Sequence, residues 1–166
     1  MDKSKISVGT WLSLYSEAIA EILVNAGYEW VTIDLEHSAI TIDQAEKLIR
    51  VIDLAGAKPY VRVSSNDKVQ IKRVLDAGAK GIIIPMVNSV NDVLSAISAI
   101  KYPPVGSRGM GLARAQGYGE MLLKNNYIDF LSNDIELYIQ IESKEALNNL
   151  DEMFSQKIDG YMIGPY

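Results

Sequence analysis

The stretch VTIDLEH, Val31 to His37, decides the fold. Val31, Ile33 and Leu35 alternate with Thr32, Asp34 and Glu36, the two-residue period of a strand with one apolar and one polar face. The polar face gathers Asp34 and Glu36 at the end of the run, and the chain's only histidine, His37, follows. The pattern recurs elsewhere. In YVRV, Tyr60 and Arg62 oppose Val61 and Val63; in LYIQIE, Leu137, Ile139 and Ile141 oppose Tyr138, Gln140 and Glu142. Each time a charged residue closes the polar face at the C-terminal end of the strand.

Working outward, each such run is followed by a helical pattern of about 10 to 14 residues and a glycine-containing turn. The strands predicted are Val8–Leu12, Trp30–Leu35, Pro59–Val63, Gly81–Pro85, Ile135–Ile141 and Gly160–Ile163. The helices predicted are Ser16–Ala26, Thr41–Ala55, Asp67–Ala77, Ser89–Ile100, a weaker one over Tyr118–Ser132, and Lys144–Met153. Ser16, Thr41, Asp67 and Ser89 are N-cap types, and Gly27, Gly56 and Gly78 fall where a left-handed residue ends a helix.

Repeated strand–helix units imply a parallel sheet with right-handed crossovers. A doubly wound sheet buries both strand faces under helices and calls for nearly continuous apolar strands. A (β/α)₈ barrel turns one face inward, where polar residues can collect at the C-terminal mouth. The alternation favours an α/β fold of the TIM-barrel type. About six β-α units fit into the 166 residues as a single domain over 1–166, whereas a full barrel takes roughly 200 or more.

Composition narrows the function. The net charge is −5 without a basic cluster, which argues against nucleic acid and membrane partners. No cysteine is present, excluding a disulfide framework, a thiolate metal site and a cysteine nucleophile. No signal-peptide pattern or apolar run of about 18 residues occurs, so a cytoplasmic protein is expected.

If the strand ends converge, Asp34, Glu36 and Glu142 meet Arg62, His37 and Gln140 at one rim. Crowded carboxylates take up protons or recruit a cation, and oxygen donors suit Mg²⁺, Mn²⁺ or a similar hard ion. Arg62 offers a planar fork to a substrate carboxylate, and His37 is a proton acceptor near neutral pH. Plainer roles stay open: Asp34 and Glu36 as a structural ion network with Arg62, His37 as a surface residue, Glu142 as a carboxylate at a helix start, and Tyr60 and Gln140 as barrel filling.

The ordered blocks GTW (Gly9–Trp11), IDLEH (Ile33–His37), VRV (Val61–Val63) and VLDAGAKGIIIPMV (Val74–Val87) continue with YPPVGSRG (Tyr102–Gly109), QIES (Gln140–Ser143) and IGP (Ile163–Pro165). Together they resemble the HpcH/HpaI aldolases, metal-dependent class II aldolases of 2-oxo acids. The resemblance implies retro-aldol cleavage of a 4-hydroxy-2-oxo acid to pyruvate and an aldehyde, or its reverse. It implies His37 and Asp34 in proton transfer, Arg62 on the oxo acid, Gln140, Gly164 and Pro165 around the substrate, and Glu142 on a divalent metal (Mg²⁺, Mn²⁺ or Co²⁺), with Glu36 in support. It also implies a homo-oligomer in the complete protein. In the family the IGP block runs on to an aspartate that is the second metal ligand. Here the block reads IGPY and Tyr166 is the last residue, so that ligand is expected just beyond Tyr166 and the chain is expected to be a fragment. A citrate-lyase-β-like acyl-CoA lyase and a non-catalytic truncated remnant or interaction protein remain as alternatives. YPPVGSRG reads as a loop whose glycines let backbone amides approach a substrate anion, or as an ordinary connection. Arg108 within it is assigned to the substrate or to a neighbouring subunit.

Overall fold

The computed structural model describes residues 6–123 and 134–164. Six strands form one parallel sheet in the order β1-β2-β3-β4-β5-β6, so each strand pairs with its neighbour in sequence. They are β1 (Gly9–Leu12), β2 (Trp30–Asp34), β3 (Lys58–Arg62), β4 (Gly81–Ile84), β5 (Glu136–Ile141) and β6 (Gly160–Ile163). This unreversed order is that of a barrel and not of a doubly wound sheet. Every strand lies within one residue of its predicted bounds.

Helices α1 (Glu17–Asn25), α2 (Ile42–Ala55), α3 (Lys68–Asp76) and α4 (Val90–Ile100) cover the outer face. Val31, Ile33, Val61, Val63, Ile82, Ile84, Leu137 and Ile139 pack there with Leu48, Ile49, Ile52, Ile71, Val74 and Val93 of the helices, all fully buried. The caps follow the sequence. Ser16, Thr41, Asp67 and Ser89 each accept an amide of the first turn, and Gly27, Gly56 and Gly78 are left-handed. At α4, Asp92 Oδ2 accepts the amides of Asn88 at 3.1 Å and Ser89 at 2.9 Å and the Ser89 hydroxyl at 2.8 Å. Asp92→Ala is therefore expected to lower stability by about 1–2 kcal/mol in urea unfolding. A change below about 0.3 kcal/mol would show that the cap does not hold α4.

Two helix expectations are corrected. Around Tyr118 the chain forms a 3₁₀ segment, Arg114–Leu123, whose Gly117, Tyr118 and Gly119 are left-handed, so no continuous helix starts there. The rest of that predicted helix, 124–132, lies outside the described residues. Lys144–Met153 divides into α5 (Lys144–Asn148) and α6 (Leu150–Phe154), because Asn149 departs from helical geometry.

The inner face is closed at the N-terminal end by aromatic rings laid over glycines. Trp30 pairs in register with Gly9, Tyr60 with Gly81, and Tyr138 with Gly160. A Cβ on Gly9 would fall 1.8 Å from the Trp30 ring, and one on Gly81 2.4 Å from that of Tyr60. Trp30 stacks on Tyr60 at 5.6 Å, and Tyr60 meets Tyr138 at 5.6 Å. Both tyrosine hydroxyls donate to Glu136 Oε2 at 2.6 Å, and Lys58 pairs with Oε1. Burial and the Glu136 carboxylate push the Tyr138 phenol up to about 12. Tyr60 is thus barrel filling, as one reading had it.

The loop Tyr102–Gly109 follows the C-terminal end of α4 and returns along the N-terminal ends of the strands. Arg108, 3% exposed, donates to Asp76 at the end of α3 at 2.8 Å and lies 4.7 Å over the Tyr102 ring. Within the chain the loop therefore faces away from the strand C-termini, and Arg108 pins it to α3. Its amides do not line the cluster at the strand C-termini. No described helix is long and apolar enough to cross a membrane.

Candidate active site

The C-terminal ends of β2, β3 and β5 bring Asp34, Arg62 and Gln140 to one mouth because all three occupy the inward parity of their strands. Arg62 Nε donates to Asp34 Oδ1 at 2.9 Å and Nη2 to Oδ2 at 2.7 Å, a bidentate pair across the β2–β3 register. Nη1 lies 3.2 Å from Glu36 Oε2 and 3.5 Å from Gln140 Oε1. The guanidinium sits 4.7 Å over the Trp11 ring of β1, a contact not anticipated from GTW. Gln140 Nε2 then donates to Glu142 Oε1 at 3.2 Å. Asp34, Arg62, Gln140 and Glu142 form one continuous polar chain.

Asp34 is saturated, since Oδ1 also accepts the amides of Glu36 at 3.0 Å and His37 at 3.3 Å. Burial pushes its carboxyl up, but Arg62 and the two amides outweigh that and hold it below the usual carboxylate range. Glu36 moves the other way: burial raises it beyond what the charges of Arg62 and His37 recover. The His37 side chain is 70% exposed, and its Nε2 lies 3.6 Å from Glu36 Oε2. The imidazole thus neighbours Glu36, while Asp34 touches the His37 backbone.

Glu142 does not cap α5; that is done by Ser143, whose hydroxyl accepts the Ala146 amide at 3.0 Å. Its carboxylate turns instead to the end of β4, where Oε2 accepts the Met86 amide at 2.8 Å. Gly164 packs against it so closely that a Cβ there would lie 2.7 Å from Glu142 Oε1. Pro165, expected beside the substrate, and Tyr166, beyond which the second metal ligand is expected, both lie outside the described residues. Met86 was not among the sequence candidates.

Among the described residues no three Asp, Glu or His side chains converge to enclose a cation. Glu142, assigned to a metal in the sequence reading, has no such group around it among the described residues. The oxygens in reach are those of Glu142, Glu36 and Gln140; Glu36 Oε2 makes no hydrogen bond but is ion-paired with Arg62 Nη1 at 3.2 Å. An all-oxygen set with few protein ligands fits, in kind, a hard divalent ion that retains much of its water.

Residues 7–166 match the HpcH/HpaI aldolase/citrate lyase family over nearly the whole chain. The chain belongs to that family. The 2-keto-3-deoxy-L-rhamnonate aldolase of Escherichia coli strain K12 is 38% identical over 166 residues, covering 98% of this chain and 61% of the relative. The crystal structure of an HpcH/HpaI aldolase/citrate lyase family protein from Burkholderia cenocepacia J2315 superposes with a TM-score of 0.91 at 29% identity, over 99% of this chain and 66% of that one. An HpcH/HpaI aldolase from Desulfitobacterium hafniense DCB-2 gives 0.85 at 31% identity, over 97% and 62%. The chain thus spans 61% of the length of the Escherichia coli aldolase, and its described residues carry six strands of a barrel-type sheet.

Proposed function

We propose that the complete protein carries out divalent-metal-dependent aldol cleavage, or the reverse condensation, of a 4-hydroxy-2-oxo acid, giving pyruvate and an aldehyde. The observation that carries this reading is the part-buried Arg62 guanidinium, gripped by Asp34 and linked through Gln140 to Glu142.

Arg62 commits Nε and one N–H of Nη2 to Asp34 and turns Nη1 to Glu36 and Gln140, so the oxo acid would take the second N–H of Nη2 and displace the longer Nη1–Gln140 contact. Glu142, with Glu36 in support, would hold the divalent cation (Mg²⁺, Mn²⁺ or Co²⁺). When bound, such an ion supplies Lewis acidity toward the carboxylate and ketone oxygens of a 2-oxo acid. His37 stands at the exposed side of the mouth, where it takes the proton of the C4 hydroxyl, directly or through a water. Loss of that proton breaks the C3–C4 bond, and a proton delivered at C3 completes pyruvate. Asp34 holds Arg62 and the His37 backbone in place for both steps. Gln140 and Gly164 shape the substrate's side of Glu142. Self-association of the complete protein belongs to the same reading.

Proton NMR of pyruvate in D₂O tests the proposal. With protein and Mg²⁺ the methyl signal is expected to decline, to stop declining on addition of EDTA, and to be at least about 10²-fold slower with His37→Ala. Unchanged exchange in His37→Ala and Arg62→Ala would overturn the assignment. Competition by an acyl-CoA thioester would move the reading to the lyase side of the family. A folded protein that exchanges nothing would point to a non-catalytic role.

A further inference from the structure

Met86 combines two features that are unfavourable separately. It is a non-glycine residue with φ of 52°, and its large apolar side chain is 56% exposed. Unbranched apolar residues seldom adopt the left-handed region, and such outliers cluster at functional sites. Packing does not select it, because the side chain is turned to solvent. The demands on either side of it do. Pro85 before it is buried, and Val87 after it is 1% exposed in the outer core. Between them the Met86 amide reaches across to β5 and donates to Glu142 Oε2 at 2.8 Å. The left-handed turn lets the chain leave for the helix layer while this amide stays at the mouth.

We infer that Met86 is a positioning residue whose left-handed backbone, and not its side chain, fixes the Glu142 carboxylate. The amide holds Oε2, and Gln140 Nε2 and the bare Cα of Gly164 bound Oε1. The carboxylate therefore has one setting, with no free rotation about its last bond. The inference rests on the reading of Glu142 as the cation's ligand for its functional meaning, and on geometry alone for the contact itself.

The test separates backbone from side chain. Glycine accepts the left-handed conformation freely, whereas isoleucine keeps apolar bulk but is branched at Cβ and resists it. Met86→Gly is expected to bind Mn²⁺, followed by the EPR signal of the free ion, within about 2-fold of the unsubstituted protein. Met86→Ile is expected to bind at least 10-fold more weakly. Amide hydrogen exchange gives a second readout: the residue 86 amide should be protected in the unsubstituted protein and in Met86→Gly, and should exchange at least 10-fold faster in Glu142→Ala. Retained binding in Met86→Ile with loss in Met86→Gly would overturn the inference, as would a residue 86 amide indifferent to Glu142→Ala. If Met86→Ile does not fold, Met86→Gly and Glu142→Ala decide the matter. If the complete protein binds no Mn²⁺, the reading of Glu142 as a cation ligand fails, while amide exchange still decides whether Met86 holds the carboxylate.

Discussion

Arg62→Ala is expected to destabilise the protein by about 3–5 kcal/mol, because it leaves a buried carboxylate without its counter-charge. Asp34 is 4% exposed, and the paired side chains are 13% and 6% exposed, so water screens little of the loss. Adding Asp34→Asn should recover at least about 1 kcal/mol by removing the stranded charge. The sign of the pH dependence follows from Asp34. Its folded pKa lies below the ordinary 3.8, so the pair's contribution is complete above that value and is lost as pH falls through the lower folded one. Glu36, raised by burial, acts oppositely: its ionisation costs stability as pH climbs past 4.5 toward its folded value. Arg62→Ala should therefore lose the stabilisation that Asp34 contributes above pH 3.8. Pyruvate exchange should fall by about 10²-fold or more. Urea unfolding between about pH 3 and 7 measures the stability effects; a loss below about 1 kcal/mol would mean that the pair behaves as a surface contact.

The second large effect is at the closed end of the sheet. Gly81→Ala is expected to cost about 2–3 kcal/mol, since its Cβ would lie 2.4 Å from a Tyr60 ring that cannot retreat. Trp30 and Tyr138 flank that ring, and Glu136 holds its hydroxyl. Gly56→Ala is the comparison: nothing lies within 4 Å, so only its φ of 105° is at stake, about 1–2 kcal/mol. Pairing Gly81→Ala with Tyr60→Leu should show a favourable coupling of at least about 1 kcal/mol in thermal or urea unfolding. Strict additivity would mean that the ring and the glycine do not constrain each other.

The alternation in VTIDLEH, YVRV and LYIQIE carried most of the fold, because inward and outward parity is written directly in residue polarity. It also carried the convergence of Asp34, Arg62, Gln140 and Glu142 on one mouth. Pairing details were not legible. Nothing in the sequence says that Asp34 spends both oxygens on Arg62 while His37 turns its ring to Glu36. Met86 gave no signal because methionine is not a residue type that announces a left-handed turn. Trp11 escaped because a ring under a guanidinium depends on neighbouring strands and not on spacing. The aromatic–glycine pairs could have been found: Trp30, Tyr60 and Tyr138 stand on inward positions, and Gly9, Gly81 and Gly160 open their strands. The helix expected around Tyr118 failed because Gly117 and Gly119 flank Tyr118 and all three residues take left-handed geometry.

Because each strand pairs with the one before it, the sheet can be assembled as the chain is synthesised, each unit docking on the edge left by its predecessor. The intervals are unequal. Residues 35–57 separate β2 from β3, whereas residues 85–135 separate β4 from β5. More than doubling that interval adds about 0.6–0.8 kcal/mol of closure entropy and delays the later junction. Asp34 and Arg62 belong to the early junction; Met86 and Glu142 face each other across the late one. A nascent chain would thus form the Asp34–Arg62 pair first and the Met86–Glu142 contact only when the long interval closes.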